Sequence, residues 1–273
     1  MFVATWTPYA QRQLNVDALA KEAVADWAVR HLGIRDNSGL FLDAGSQNLE
    51  VWKCLRTKFE GGDLQHLLVV TNSFLVLRDW VDQLKNPQAL NLRVRMVGTE
   101  FNGPHLAFYG VAEQNSALVS KWFRPWIVFI GASGIGFDPD DGILLGHIGE
   151  RERSDKQLLF QCQCQYARVI LATPRKIGNP GGEVIDILAE ASGQNSRSRA
   201  PIFLISTEPA AESAEEKLFK VAVEQFQSPK MKKRIEESGV RVRWFVVGGA
   251  PPGEVKLVRE IGPDQGAPAL ADP

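Results

Sequence analysis

Three clusters of small polar residues each follow an apolar run, and their residue types suit an anion. They are Leu42-Asp43-Ala44-Gly45-Ser46-Gln47, Val70-Thr71-Asn72-Ser73 and Gly131-Ala132-Ser133-Gly134. In the first, the main-chain N–H groups of Gly45 to Gln47 would face an anion at a helix start. Ser46 would donate a further hydrogen bond, and Asp43 would meet sugar hydroxyls or order the loop. The plainer alternative is that Ser46 caps the helix and Asp43 closes a turn. Thr71, Asn72 and Ser73 carry the same two readings. The run Gly131 to Gly136 reads either as a backbone wall of a small-ligand pocket or as a tight turn at a sheet edge. Thr173-Pro174-Arg175-Lys176 adds two cations after another apolar run, suited to a phosphate or sugar-acid group, or else to a solvated basic turn. Position joins these segments. Ligand sites in open α/β sheets lie beyond the carboxyl ends of the strands, where loops of adjacent strands converge and independent caps need not.

Other chemistries lack their patterns. Gly131-Ala132-Ser133-Gly134-Ile135-Gly136 is not Gly-x-Gly-x-x-Gly, and no Gly-x-x-x-x-Gly-Lys-Ser/Thr loop is present. Asp138-Pro139-Asp140-Asp141-Gly142 lacks the alternating ligands and terminal Glu of a calcium loop and reads as a solvated turn. The four histidines, at 31, 66, 105 and 147, show no ligand spacing, and no nucleophile elbow appears. The expectation is therefore no metal, no cofactor and no catalytic residue. Three cysteines, Cys54, Cys162 and Cys164, are too few and too unevenly placed for a disulfide framework, and read as structural thiols. A net charge of −1 argues against direct DNA binding. Lys230-Met231-Lys232-Lys233-Arg234 is the one basic stretch, followed by Glu236 and Glu237, and reads as an exposed helix face. No apolar run approaches the roughly 18 residues of a membrane span. The start, Met-Phe-Val-Ala-Thr-Trp, is not a signal peptide, so a cytoplasmic protein away from membranes is expected.

The elements that must position these loops alternate. Residues 15–32 read as an amphipathic helix with Leu19, Val24, Trp27 and Leu32 on its apolar face. Strands are expected at 39–43, 66–71, 92–97, 126–130, 168–172, 201–206 and 240–247. Helices are expected after Ser46, after Asn72 or Ser73, and at 112–123, 150–166 and 211–238, the last broken at Ser228-Pro229. Strands separated by helices predict an α/β fold with a doubly wound, mostly parallel sheet flanked by helices. Residues 192–199 read as a mobile loop, and the Pro- and Gly-rich tail of 249–273 as disordered.

In order and spacing, from about residue 14 to 247, these motifs resemble the C-terminal effector-sensing domain of DeoR-type bacterial transcription regulators. The matching segments are Leu40 to Ser46, Val69 to Ser73, Val94 to Gly98 with Gly110 after it, Phe129 to Ile135, and Leu171 to Gly178. The resemblance implies a ribose-phosphate-isomerase-like fold and a domain that binds phosphorylated sugars and signals through oligomers. It divides the chain into a linker-type helix in 1–38, a sensor domain in 39–248 and the tail. Carried over by motif, Asp43, Gly45, Ser46, Thr71, Asn72, Gly98, Gly131, Ser133 and Lys176 would line the pocket, with Gln47, Ser73, Thr99, Ala132, Gly134 and Arg175 beside them. The pattern departs at Gln47, where the family carries Thr, at Thr99, where it carries a second Gly, and at Thr173, where it carries Asp. Its winged helix-turn-helix is not matched, so either a stand-alone sensor or a sensor separated from its DNA-binding part is expected. The expected partners are a phosphorylated small molecule, further copies of the chain and an effector protein. The alternatives are a sugar-phosphate isomerase-like enzyme and a DNA-binding regulator represented by its sensor.

Overall fold

The computed structural model describes residues 17–83, 92–111, 123–147, 149–192, 200–248 and 256–261. The chain folds as an α/β protein around an eight-stranded sheet. Its strands are β1 (Gly39–Leu42), β2 (Leu68–Thr71), β3 (Arg93–Met96), β6 (Ile127–Ile130), β9 (Ala167–Ala172), β11 (Ile202–Thr207), β12 (Val242–Gly248) and β13 (Lys256–Ile261). The order is β13-β12-β11-β9-β6-β1-β2-β3, with all neighbours parallel except the antiparallel pair β12–β13. From β1 the chain winds outward through β2 to β3. From β6 it winds the other way through β9 and β11 to β12. The two directions part between β1 and β6, the crevice where doubly wound sheets take ligands.

The central strands are apolar because both faces are covered. Leu40 and Leu42 of β1, with Ile127 and Phe129 of β6, join the core under α1 (Ala18–His31), α2 (Ser46–Glu60) and α3 (Phe74–Gln83). Phe41, Val128 and Ile130 point to the other core, with residues of α4 (Gly149–Gln161), α5 (Ile187–Ser192), α6 (Ala214–Gln227) and α7 (Pro229–Ser238). Ser228 ends α6 and caps α7 by accepting a hydrogen bond from the Met231 N–H, so the expected break falls at Ser228-Pro229. At the sheet edge β3 alternates exposed with half-buried residues, as Leu-Arg-Val-Arg-Met-Val predicted.

Several expectations are corrected. In α1 the apolar face is Val24, Ala25, Trp27, Ala28 and Val29, while Leu19 is exposed. The helix expected over 150–166 stops at Gln161, so Cys162 and Cys164 lie beyond it, both buried and neither held in a disulfide. The tail expected to be disordered contributes β13, because Lys-Leu-Val-Arg-Glu-Ile pairs with the open side of β12. Two small antiparallel units were not anticipated. β7 (Ile135–Asp138), β8 (Gly142–His147) and β10 (Glu183–Asp186) form one, and β4 (Glu100–Asn102) with β5 (Ala107–Tyr109) the other. The turn at Asp138 joins β7 to β8, its Oδ1 accepting from the Asp140 and Asp141 N–H groups. These two bonds, above all, hold the Asp138 carboxyl below its ordinary pKa. The expected helix at 112–123 and the loop at 192–199 lie almost wholly outside the described residues. No helix among the described residues is long and apolar enough to cross a membrane.

Candidate functional site

The loops after β1 and β6 meet at the crevice between those strands. Gly45 caps α2 with φ 151° and ψ 153°, a conformation that favours glycine. Ser46 is therefore the first helical residue and not the cap, and no side chain caps this end. The first intrahelical bond runs from the Leu49 N–H to the Gly45 carbonyl. The N–H groups of Ser46, Gln47 and Asn48 precede it and find no partner inside the helix. Glycine is needed across the crevice too, since a Cβ on Gly131 would stand 2.4 Å from the Ala44 carbonyl oxygen.

Asp43 has a different task from the one expected. Its Oδ1 accepts from the Ala44 N–H at 2.9 Å, and its Oδ2 from the Gly131 N–H at 2.9 Å and from Lys156 Nζ at 2.9 Å. The carboxylate thus clamps the β1 loop to the β6 loop. Lys156, on α4, also donates to the Gly131 carbonyl at 2.6 Å and lies 3.1 Å from Glu152 Oε1. Both Asp43 and Lys156 are buried. Burial opposes the charge on Lys156, but Asp43 and Glu152 outweigh it, and its pKa is raised.

Above this clamp lies a pocket holding about 720 Å³ of unfilled space open to solvent. Nine of the expected residues line it: Asp43, Gly45, Ser46, Gln47, Asn72, Gly131, Ala132, Ser133 and Lys176. Asn72 Oδ1 accepts from the Ala44 N–H at 2.6 Å, tying the β2 loop to the β1 loop. Lys176, at the end of the 3₁₀ turn Pro174–Lys176, donates to the Ala132 carbonyl at 2.6 Å and contacts Gln47 Oε1 at 3.3 Å. A lysine only donates, so the amide oxygen of Gln47 must face it. That leaves Gln47 Nε2 buried with no partner. The adjacent Asn48 donates through Nδ2 to the Asp43 and Phe129 carbonyls, and its Oδ1 is likewise buried and unpartnered. Buried polar atoms in this state are costly, and both belong to residues that line the pocket.

Six expected residues lie elsewhere. Thr71 donates from its hydroxyl to the Leu42 carbonyl at 2.6 Å, and Ser73 bridges to Ala107. Gly98, at φ 105°, packs against Phe108, and Thr99 bonds the Tyr109 carbonyl. Gly134 lies under the Asn179-Pro180 backbone, so it serves packing. Arg175 is more than half exposed and lies 3.9 Å from Glu215.

The sequence reading missed one whole side of the pocket. His105, Ala107 and Tyr109 come from the β4–β5 hairpin, and Glu152 and Asp155 from α4. Asp155 is buried and its Oδ2 accepts from the Gly110 N–H at 3.1 Å. The Tyr109 hydroxyl is pushed up in pKa, by burial first and then by Glu152 and Asp43. A signal for α4 existed. Glu152, Asp155, Lys156 and Leu159 share one helical face, and that mixture of charged and apolar residues on a buried face marks a polar site. Among the described residues no group of three or more His, Cys, Asp or Glu is placed to hold a metal ion.

No protein-family model matches the chain, and no curated protein matches it in sequence. Solved structures with a distantly similar fold include two isomerases. The ribose 5-phosphate isomerase A of Methanocaldococcus jannaschii aligns at TM-score 0.38 and 15% identity, over 59% of this chain and 54% of that one. The Plasmodium falciparum ribose 5-phosphate isomerase aligns at 0.37 and 15%, over 59% and 53%. The delta subunit of eIF2B from Chaetomium thermophilum aligns at 0.35 and 14%, over 62% and 52%. The chain thus spans about half the length of each. Likeness of this extent says nothing of what this chain binds.

Proposed function

We propose that this chain is a non-catalytic sensor that binds a phosphorylated sugar or nucleotide-derived metabolite in the crevice between β1 and β6. One observation carries the reading. The uncapped start of α2 presents main-chain N–H groups beside the unpartnered Gln47 Nε2 and the Lys176 ammonium, a donor set matched to a phosphate. The resemblance to DeoR-type effector domains supports the same ligand class and a role in passing its presence to another copy of the chain or an effector protein. The β4–β5 hairpin is the element suited to transmit it. It brings His105 and Tyr109 to the pocket, lies between Gly98 and Gly110, both at positive φ, and is tied to α4 through Asp155 and the Arg151–Glu100 ion pair. A sensor fits better than an isomerase because the Asp43 carboxylate is spent on the clamp, Glu152 pairs with Lys156 and Asp155 is bonded to Gly110. Thermal unfolding with a panel of phosphorylated sugars tests the proposal. A rise in midpoint with at least one is expected, turnover of ribose 5-phosphate would replace the sensor by an enzyme, and no shift with any would remove the reading.

A further inference from the structure

The β4–β5 hairpin brings an aromatic surface to the pocket. Successive residues of a strand face opposite ways, so the pocket residues Ala107 and Tyr109 share one face of β5 while Phe108 turns to the other. Behind the hairpin Phe108 packs on Phe101 and Phe101 on Phe74, with ring centroids 5.1 and 5.2 Å apart. Main-chain bonds fix it in place. The Phe74 N–H donates to the Leu106 carbonyl at 3.0 Å, the Phe108 N–H to the Asn72 carbonyl at 2.7 Å and the Thr99 N–H to the Tyr109 carbonyl at 2.7 Å. Leu106 is held at φ 51°, a left-handed conformation that bulky residues rarely take and that persists where the surroundings impose it. The His105 and Tyr109 rings, with centroids 6.3 Å apart, are tilted by 41°, so neither lies flat on the other. Asn72 ties this surface to the donor end. Its side chain holds the Ala44 N–H beside the start of α2, and its carbonyl holds the Phe108 N–H.

We infer that the ligand is a nucleoside 5′-monophosphate, with its phosphate at the start of α2 and its base stacked on the Tyr109 ring beside His105. This rests on the proposed function and narrows it. A sugar phosphate seated on the same donors offers an aromatic wall only hydroxyls and C–H groups, whereas a base offers a π-face of matching shape. The 720 Å³ of unfilled space lies within the roughly 300–1,000 Å³ of pockets that take ligands larger than a sugar phosphate. Burial keeps the proton on the Tyr109 hydroxyl, so the ring meets the base as a neutral phenol. Every base has a π-face, so stacking favours nucleotides as a class over the same phosphate without a base, by about 10-fold or more.

The test uses matched ligands on the unaltered chain. Calorimetric titration at pH 7 compares AMP, GMP, CMP and UMP with ribose 5-phosphate, which carries the same phosphate and sugar with a hydroxyl in place of the base. The inference expects at least one nucleotide to bind about 10-fold or more tighter than ribose 5-phosphate. That ratio is kept in the Tyr109→Phe chain, which retains the ring, and falls toward one in the Tyr109→Ala chain. A ratio that survives Tyr109→Ala unchanged overturns the inference. Ribose 5-phosphate binding as tightly as all four nucleotides, or more tightly, overturns it too and leaves the sensor reading standing. No binding by any of the five also overturns it, and the wider phosphosugar panel then decides the sensor reading by itself.

Discussion

Asp43 and Lys156 stand 113 residues apart in the chain and 2.9 Å apart in space. Removing one partner of a buried pair strands the other charge, at a cost of about 3–5 kcal/mol. Lys156→Met should therefore lower stability by that amount in denaturant titration, and adding Asp43→Asn should recover part of it. Additive losses would show that the two groups do not act as a pair. Gln47 behaves in the opposite way. Its Nε2 is already unpartnered, so Gln47→Leu should change the stability of the free chain by no more than about 1 kcal/mol while weakening phosphate binding about 10-fold or more. Cys54 gives a pH test. Burial, then Asp26 and Glu50, push its thiol up to about 12, so thiolate is scarce at pH 8 and grows only toward that value. Iodoacetamide at pH 8 should label Cys54 rapidly in the unfolded chain and hardly at all in the native one, measured by mass spectrometry; equal rates would contradict the burial. At this scale the sequence showed where Asp43 sits, at a strand end before glycine. It could not show that the residue's partner is a lysine on α4, because the pairing exists only once β6 and α4 are packed.

At the scale of elements, the parallel sheet was largely legible. Runs such as Ile-Val-Phe-Ile in β6 and Ile-Phe-Leu-Ile at the start of β11 are buried throughout, and uninterrupted apolar character signals that state. The small antiparallel units were not legible. The β7–β8 hairpin has glycine at 136, 142 and 146, and those glycines admit the Pro180 segment and the Asp186 and Arg234 side chains, contacts set by distant parts of the chain. The basic stretch of α7 is exposed at Lys230 and Lys233, as expected, and two of its cations also make contacts that the sequence did not show. Lys230 pairs with Asp140, and Arg234 donates to the Asp140 and Asp141 carbonyls and to Asp186 Oδ2 at 2.8 Å, so these two cations dock α7 onto the β7–β8 turn and the end of β10. The β4–β5 hairpin yields a further prediction. A Cβ on Gly98 would approach the Phe108 backbone to 2.9 Å at a φ of 105°. Gly98→Ala should cost roughly 1–3 kcal/mol, with hydrogen exchange accelerated in residues 100–109 before the rest of the sheet. Unchanged exchange there would mean that the hairpin does not depend on Gly98.

Over the whole molecule, two windings of the chain diverge between β1 and β6, and the four loops after β1, β2, β6 and β9 that reach this crevice are joined by Asp43, Asn72 and Lys176. Their convergence was legible because each loop ends a strand of one sheet. The opposite wall was not, since the β4–β5 hairpin and α4 approach it from outside that sheet. The central claim is that a phosphate seats on the donors at the start of α2. It is tested most directly by calorimetric titration of the unaltered, Gln47→Leu and Lys176→Met chains with the phosphorylated sugar that most raises the unfolding midpoint. The account predicts saturable binding by the unaltered chain and a loss of about 10-fold or more in each variant. Equal affinity in all three chains would contradict it.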